Sequence, residues 1–330
     1  MKATARANAN IALVKYWGKR DDELILPMNG SISVTLSGLN TVTTVEFNEK
    51  LRNDVFVLNG VEQKGDERKK LGNHLDLVRE KAKIKWNARV ESKNNFPTAA
   101  GLASSASGFA ALSVAAAKAA HLELNEKELS ILARMGSGSA SRSIHGGFVE
   151  WQKGTKKDGS DSYAEQIAKP GHWENFRILT TIVSGKEKKV KSRAGMKQTV
   201  QTSPMYKGWL ETVENDLENV RAGILKKNFS LVGETAEMNA LKMHSTMLTT
   251  RPAIIYWEPE TIEIMHAVQE LREEGTECYF TIDAGPQVKV LCLQKNEAIV
   301  TARLGEITGL QKIVPCKVGG KAETISEHFF

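Results

Sequence analysis

The chain is expected to fold as an α+β protein, on three observations. Its first third alternates apolar and polar residues with the two-residue period of strands, helical periodicities then intervene, and strands and helices mix without the regular alternation of a doubly wound sheet. SISVTL (31–36) sets Ile32, Val34 and Leu36 against small polar residues, TVTTVEF (41–47) continues the pattern, and DVFVLNGVEQ (54–63) reads as a hairpin turned at Asn59-Gly60. Leu71, Leu75, Val78 and Ala82 recur at helical spacing, and Asn125 followed by Glu128 is a capping arrangement for a helix through Met135. FRILTTIVS (176–184) reads as a buried strand and the region from about 205 to 245 as mostly helical. TIEIMHAVQELREEG (261–275) is an amphipathic helix stopped by Gly275, and CYFTIDAGPQVKVLCL (278–293) is two strands joined by Ala284-Gly285-Pro286. At 330 residues two domains fit, and a boundary near 180 divides the chain into 1–180 and 181–330.

Composition narrows the function classes. With 41% hydrophobic and 25% charged residues the chain is of ordinary globular composition, which excludes a disordered or fibrous protein. The run Ile11-Ala12-Leu13-Val14 is too short for a signal-peptide core and nothing approaches a membrane span, so a cytoplasmic protein without a membrane partner is expected. Cys278, Cys292 and Cys316 are odd in number and lack metal-ligand spacing, so neither disulfide nor zinc site is expected. The net charge of +6 is concentrated in KKVKSR (188–193) and around Lys15, Lys19 and Arg20, whereas Arg68-Lys69-Lys70 is balanced by Asp66 and Glu67. Aromatics do not interleave with these groups in the repeated pattern that base stacking requires, so an anionic small molecule is the expected partner rather than nucleic acid.

PTAAGLASSASGFAAL (97–112) poses the first chemical question. Ala99, Ala100, Gly101 and Ala103 leave backbone N–H groups open to close approach, a helix follows, and Ser104, Ser105 and Ser107 offer hydroxyls, which together suit a phosphate. Close helix packing through Ala110, Ala111 and Ala115-Ala116-Ala117 remains open beside it. The loop is neither a Walker sequence nor a dinucleotide fingerprint. In GSGSASRSIHGG (136–147), Ser137 and Ser139 stand two apart on a glycine-flexed turn, and Arg142 can fork to a carboxylate or phosphate. Asp283 lies where an apolar strand gives way to a small-residue turn, suited to a general base at a cleft or to capping that turn. The histidines are scattered without ligand spacing.

Five segments, NIALVKYWGKRD (10–21), LPMNGSISVTL (26–36), PTAAGLASSAS (97–107), GSGSASRSIHGG (136–147) and TIDAGPQVKV (281–290), together resemble the diphosphomevalonate decarboxylases of the GHMP kinase superfamily. The proline of DAGP sets them apart from the superfamily's kinases, whose C-terminal motif is commonly glycine-rich. The resemblance implies a two-lobed GHMP-kinase fold, with a ribosomal protein S5-like N-terminal lobe, a ferredoxin-like C-terminal lobe and the active site between them. It implies ATP-dependent conversion of 5-diphosphomevalonate to isopentenyl diphosphate, ADP, phosphate and carbon dioxide, with magnesium accompanying ATP, in a homodimer. The implied catalytic residues are Asp283, Arg142 and Lys15; the implied substrate contacts are Tyr16, Trp17, Lys19, Ser137, Ser139, Arg142, Ser192 and Arg193. ATP is assigned Pro97, Ala100, Gly101, Leu102, Ala103, Ser104, Ser105, Ser107 and Lys188, with Ser105 as a ligand of its magnesium. The rivals are a kinase of the same superfamily that stops at phosphorylation, and a basic anion-binding protein without catalysis.

Overall fold

The computed structural model describes residues 1–96, 104–185 and 188–330. In chain order the first part comprises β1 (Lys2–Val14), the short pair β2 (Lys19–Asp21) and β3 (Leu26–Pro27), β4 (Ser31–Asn48), β5 (Val55–Leu58), β6 (Val61–Glu62), α1 (Gly65–Ala82), β7 (Asn87–Asn94), α2 (Ser104–Ala119) and α3 (Glu126–Gly136). A 3₁₀ helix, Gly138–Ile144, leads into β8 (Phe148–Trp151) and β9 (Ala164–Ala168). The second part comprises β10 (Phe176–Ile182), α4 (Ser192–Thr202), α5 (Tyr206–Lys226), α6 (Phe229–Leu248), α7 (Pro259–Glu273), β11 (Cys278–Ile282), β12 (Val288–Leu293), α8 (Glu297–Gly305), β13 (Lys312–Lys317) and β14 (Glu323–Ile325).

The larger sheet runs β14-β1-β4-β7-β5-β6, with β8 on β4 and β9 beyond it; its pairs are antiparallel except β5 with β7. The smaller sheet runs β11-β12-β10-β13, the order of a split β-α-β-β-α-β unit with α4–α7 and α8 in its crossovers. The α+β expectation and its ferredoxin-like second lobe therefore hold. The last strand returns to the first sheet, where Thr4 pairs with Ile325.

Local chemistry explains the agreements. Asn59 and Gly60 both have positive φ, 50° and 82°, as a two-residue hairpin turn requires. Asn125 and Glu128 form the reciprocal capping box that opens α3, and Gly275 at φ 88° follows the end of α7. His74, Leu75 and Val78 are the buried stripe of α1. All three cysteines are free and buried, on β11, β12 and β13.

The structure differs in three places. The segments 31–36 and 41–47 belong to one strand of 18 residues, which passes through Gly38 at φ 84° without breaking. The turn expected at Ser137–Ser139 is instead the start of the 3₁₀ helix, whose first residue Gly138 has no room for a Cβ beside the Trp151 and Tyr16 rings. The long β1 shows in the sequence only as a strand entering at residue 10. Its inward residues from 3 to 9 are all alanine, a residue depleted in strands, chosen here because α2 packs directly on them. Ala110, Ala111, Ala115 and Ala116 complete that small-residue contact on the helix side. No helix among the described residues is long and apolar enough to cross a membrane.

Candidate active site

A cleft of about 710 Å³ is lined by both lobes. At its base the chain leaves β1 at a bulge, between Ala12 and Val14, and Lys15 turns inward. Its ammonium donates to the Ala12 carbonyl and to Asp283 Oδ1, each at 2.8 Å, with the side chain 1% exposed. Asp283 sits just past β11 in the turn before β12, so the pair bridges the two lobes. Burial pushes its carboxyl upward, but the charges of Lys15, Lys289 and Arg142 outweigh that and hold it below the usual carboxylate range. The carboxylate is ionised, and 27% of the side chain remains open to the cleft. Burial in turn pulls the Lys15 ammonium below the usual lysine range against the pull of Asp283.

Arg142 approaches from the 3₁₀ helix. One terminal nitrogen donates to Ser31 Oγ at 2.5 Å and the other to Asn10 Oδ1 at 3.3 Å, while Nε is buried with no partner among the described residues. Burial pulls the guanidinium down to about 10, still charged at neutral pH. The hydroxyls of Ser137, Ser139 and Ser105 gather nearby, Ser137 Oγ lying 3.4 Å from each of the other two. Tyr16 stands edge-on to Trp151 at 4.8 Å, and its buried hydroxyl also lacks a partner among the described residues. Trp17 is buried and its carbonyl accepts from Tyr206 Oη at 2.8 Å; between them Gly18, at φ 102°, leaves no space for a side chain.

The loop before α4 supplies further cations. Lys188 donates to Ser192 Oγ and to the Ala284 carbonyl, both at 2.7 Å, and burial pulls it down to about 8. Arg193 reaches from α4 to the Gly136 carbonyl at 2.7 Å, and Lys19 donates to Asp22 at 2.9 Å. Lys15, Tyr16, Trp17, Lys19, Ser104, Ser105, Ser137, Ser139, Arg142, Lys188, Ser192, Arg193 and Asp283 all line this cleft. Ser107 does not: it is fully buried and its hydroxyl pairs with Thr41 at 2.7 Å, so it fastens α2 to β4. Pro97, Ala100, Gly101, Leu102 and Ala103 lie outside the described residues. Of the two readings of 97–112, close packing describes the alanines of α2, while Ser104, Ser105 and Gly108 line the cleft.

Residue-type reasoning passed over Asn10, Ser31, Lys289, His244 and Lys70. Asn10, Ser31 and Lys289 lie inside the quoted motifs, so position there was a signal. His244, whose Nε2 lies 3.2 Å from the Asp283 carbonyl, and Lys70, 4.6 Å above the Phe109 ring, come from helices whose sequence marks only periodicity. Beyond Lys70 the cleft wall turns apolar at Phe56, Leu71, Val90 and Phe109. A Cβ on Gly136 would lie 1.9 Å from the Phe109 ring. Gly136→Ala is expected to displace that ring and destabilise the protein by about 1–3 kcal/mol, read by thermal melting.

Among the described residues no group of three or more His, Cys, Asp or Glu could hold a metal. A metal carried in by phosphates needs less: the exposed Ser105 hydroxyl is a suitable single oxygen donor. A separate hollow of about 460 Å³ lies beside Trp173 and Lys317, where the Arg177 guanidinium is already bound by Glu297 and Gln294.

Two lobes of this topology are the GHMP-kinase fold, and cations converging on one carboxylate between them suit the handling of anionic substrates. The pattern of the diphosphomevalonate decarboxylase-like N-terminal domain matches residues 7–164, and that of the mevalonate 5-diphosphate decarboxylase C-terminal domain matches 178–327. The crystal structure of mevalonate diphosphate decarboxylase from Staphylococcus aureus superposes with a TM-score of 0.93 at 44% identity, covering 98% of both chains. A structure of MDDEF in complex with MVAPP, AMPPCP and magnesium gives 0.92 at 46% identity over 99% of each. The Homo sapiens diphosphomevalonate decarboxylase is 38% identical over 314 residues, 89% of this chain and 78% of the relative. The chain belongs to the diphosphomevalonate decarboxylase family.

Proposed function

We propose that this protein converts 5-diphosphomevalonate and ATP to isopentenyl diphosphate, ADP, phosphate and carbon dioxide. The observation that carries the reading is the ionised Asp283 carboxylate, 2.8 Å from Lys15, with Arg142 in the same cleft. As the tertiary hydroxyl oxygen attacks the γ-phosphorus and the bond to ADP breaks, Asp283 takes the hydroxyl proton. The bond from carbon to the new phosphate then breaks, and the electron pair of the bond to carbon dioxide becomes the double bond. Arg142 holds the departing carboxylate through its guanidinium, which lines the cleft. Ser137, Ser139, Ser192, Arg193, Lys19, Tyr16 and Trp17 surround the substrate. Residues 97–105 and Lys188 take the ATP phosphates, and the apolar wall from Phe56 to Val90 takes the base. Ser105 would join the phosphate oxygens in holding the magnesium that accompanies ATP, and the ion would supply charge neutralisation for phosphoryl transfer.

The protein operates in this reading as a cytoplasmic homodimer, divided into lobes at about residue 180. The division is supported by the entry of Phe176–Ile182 into the second sheet and by the gap between the two matched domains.

Incubation with ATP, magnesium and 5-diphosphomevalonate is expected to release carbon dioxide and ADP in equal amounts. ADP alone would make the protein a kinase, and neither product would overturn the assignment. The role of Lys188 has its own test. Its ammonium is lost as pH rises through about 8, so the KM for ATP is expected to climb above that pH. Lys188→Arg, which stays charged, is expected to flatten the climb.

A further inference from the structure

The Lys15–Asp283 pair rests on a second, buried polar relay that lies behind the cleft. The Lys15 backbone N–H donates to Asn239 Oδ1 at 2.8 Å, and its carbonyl accepts from Asn29 Nδ2 at 2.7 Å. Asn239, on α6, is fully buried and donates its Nδ2 to Asp216 Oδ2 at 2.7 Å. Asp216, on α5, also accepts from Lys242 Nζ at 2.6 Å, and that ammonium donates in turn to Thr212 Oγ1 at 2.9 Å. A carboxylate can only accept, so Asp216 dictates which end of the Asn239 amide faces Lys15. Were the amide reversed, two N–H donors would oppose each other at the Lys15 backbone. The same helix α6 supports the other partner, since His244 lies 3.2 Å from the Asp283 carbonyl.

We infer that Asp216 is a positioning residue for the reaction: through Asn239 it fixes the backbone of Lys15, and so the placement of the Lys15 ammonium against Asp283. The inference rests on the catalytic reading of Asp283 given above. A lysine side chain leaving a bulge would otherwise swing with its backbone, and β1 has its last bulge immediately before Lys15. The network lies outside the cleft lining, so neither Asp216 nor Asn239 is required to meet substrate.

The experiment compares Asp216→Ala with Asp216→Asn in the full-length protein. Asparagine can still accept from the Asn239 amide; alanine cannot. Asp216→Ala is expected to lower kcat by about 10- to 100-fold with the KM for 5-diphosphomevalonate within a few fold, as small misplacements near reacting groups do. Asp216→Asn is expected to recover most of that loss. The pH profile separates positioning from stability. Charged or titratable groups around Asp283 are Lys15 on the β1 exit, Lys289 on β12, Arg142 on the 3₁₀ helix, Lys188 before α4 and His244 on α6. Loosening Lys15 removes the nearest cation, so the Asp283 carboxyl rises and the acid limb of kcat is expected to move to higher pH in Asp216→Ala. A lowered Tm with kcat and the acid limb unmoved at temperatures where the protein is folded would overturn the inference. If Asp216→Ala does not fold, Asn239→Ser, which removes the acceptor for the Lys15 N–H, is measured in its place with the same two outcomes. Wild type and Asp283→Asn are run alongside. Normal turnover in Asp283→Asn would remove the catalytic reading itself, whereas an inactive Asp283→Asn beside an unaffected Asp216→Ala would remove only the relay.

Discussion

Asp283→Asn is expected to lower kcat about 10²- to 10⁴-fold, the range that a positioned proton acceptor contributes, with nucleotide affinity changed only a few fold. The substitution keeps size and shape but leaves no group able to take the hydroxyl proton at that point. It also strips the buried Lys15 of its charge partner, 2.8 Å away in the wild type. Lys15 then loses the carboxylate that favoured its charged form, so its proton is held less tightly than in the wild type. Single-turnover measurements with excess enzyme report the chemistry, and direct titration with ATP reports binding. The same variant tests the pH logic from the other side. The folded carboxyl of Asp283 is held below its ordinary value, so the pair contributes stability that is present above that ordinary value and lost as pH falls through the depressed one. The wild type should therefore lose a component of stability on acidification that Asp283→Asn lacks, measurable as a smaller acid-side fall in Tm.

Arg142→Lys is expected to lower the rate of carbon dioxide release by about 10²- to 10³-fold, as loss of one preorganised donor does elsewhere. Lysine retains a positive charge but presents a single ammonium where the guanidinium spans both Ser31 and Asn10. The carboxylate would then be attracted but not aligned. ADP formation should suffer less than carbon dioxide release, so quenched-flow sampling should find a phosphorylated species accumulating. Equal slowing of both products would mean that Arg142 acts on phosphoryl transfer rather than on the carboxylate. Ser31 Oγ and Asn10 Oδ1 also lose a partner in the buried site, which adds about 1–3 kcal/mol of destabilisation.

Much of this fold was legible because its punctuation is local. Asn59-Gly60, the Asn125–Glu128 box and Gly275 each specify a conformation through their own chemistry, and each appears where that chemistry dictates. Elements defined by what they pack against were harder to see. The alanine-lined β1 lacks a strand signature because its side chains were selected by the helix above it. Ser107 reads like Ser104 and Ser105 in the sequence, yet it is fully buried and its hydroxyl is taken up by Thr41. The cleft was legible chiefly through motifs in which several residue types coincide. Asn239 and Asp216 belong to no such string: their partner Lys15 is more than 200 positions away, and only the folded chain brings them together.

The strand β14 gives the molecule a particular order of assembly on the ribosome. Its residues 323–325 pair with Thr4, Ala5 and Arg6, so the sheet begun by the earliest residues is closed by some of the last. Asp283 and the smaller sheet likewise emerge after every strand of the larger sheet except β14. A nascent chain can therefore bury the alanine contact of α2 early, but it holds no Lys15–Asp283 pair until the second lobe is made. Acquisition of activity during translation should be abrupt and late.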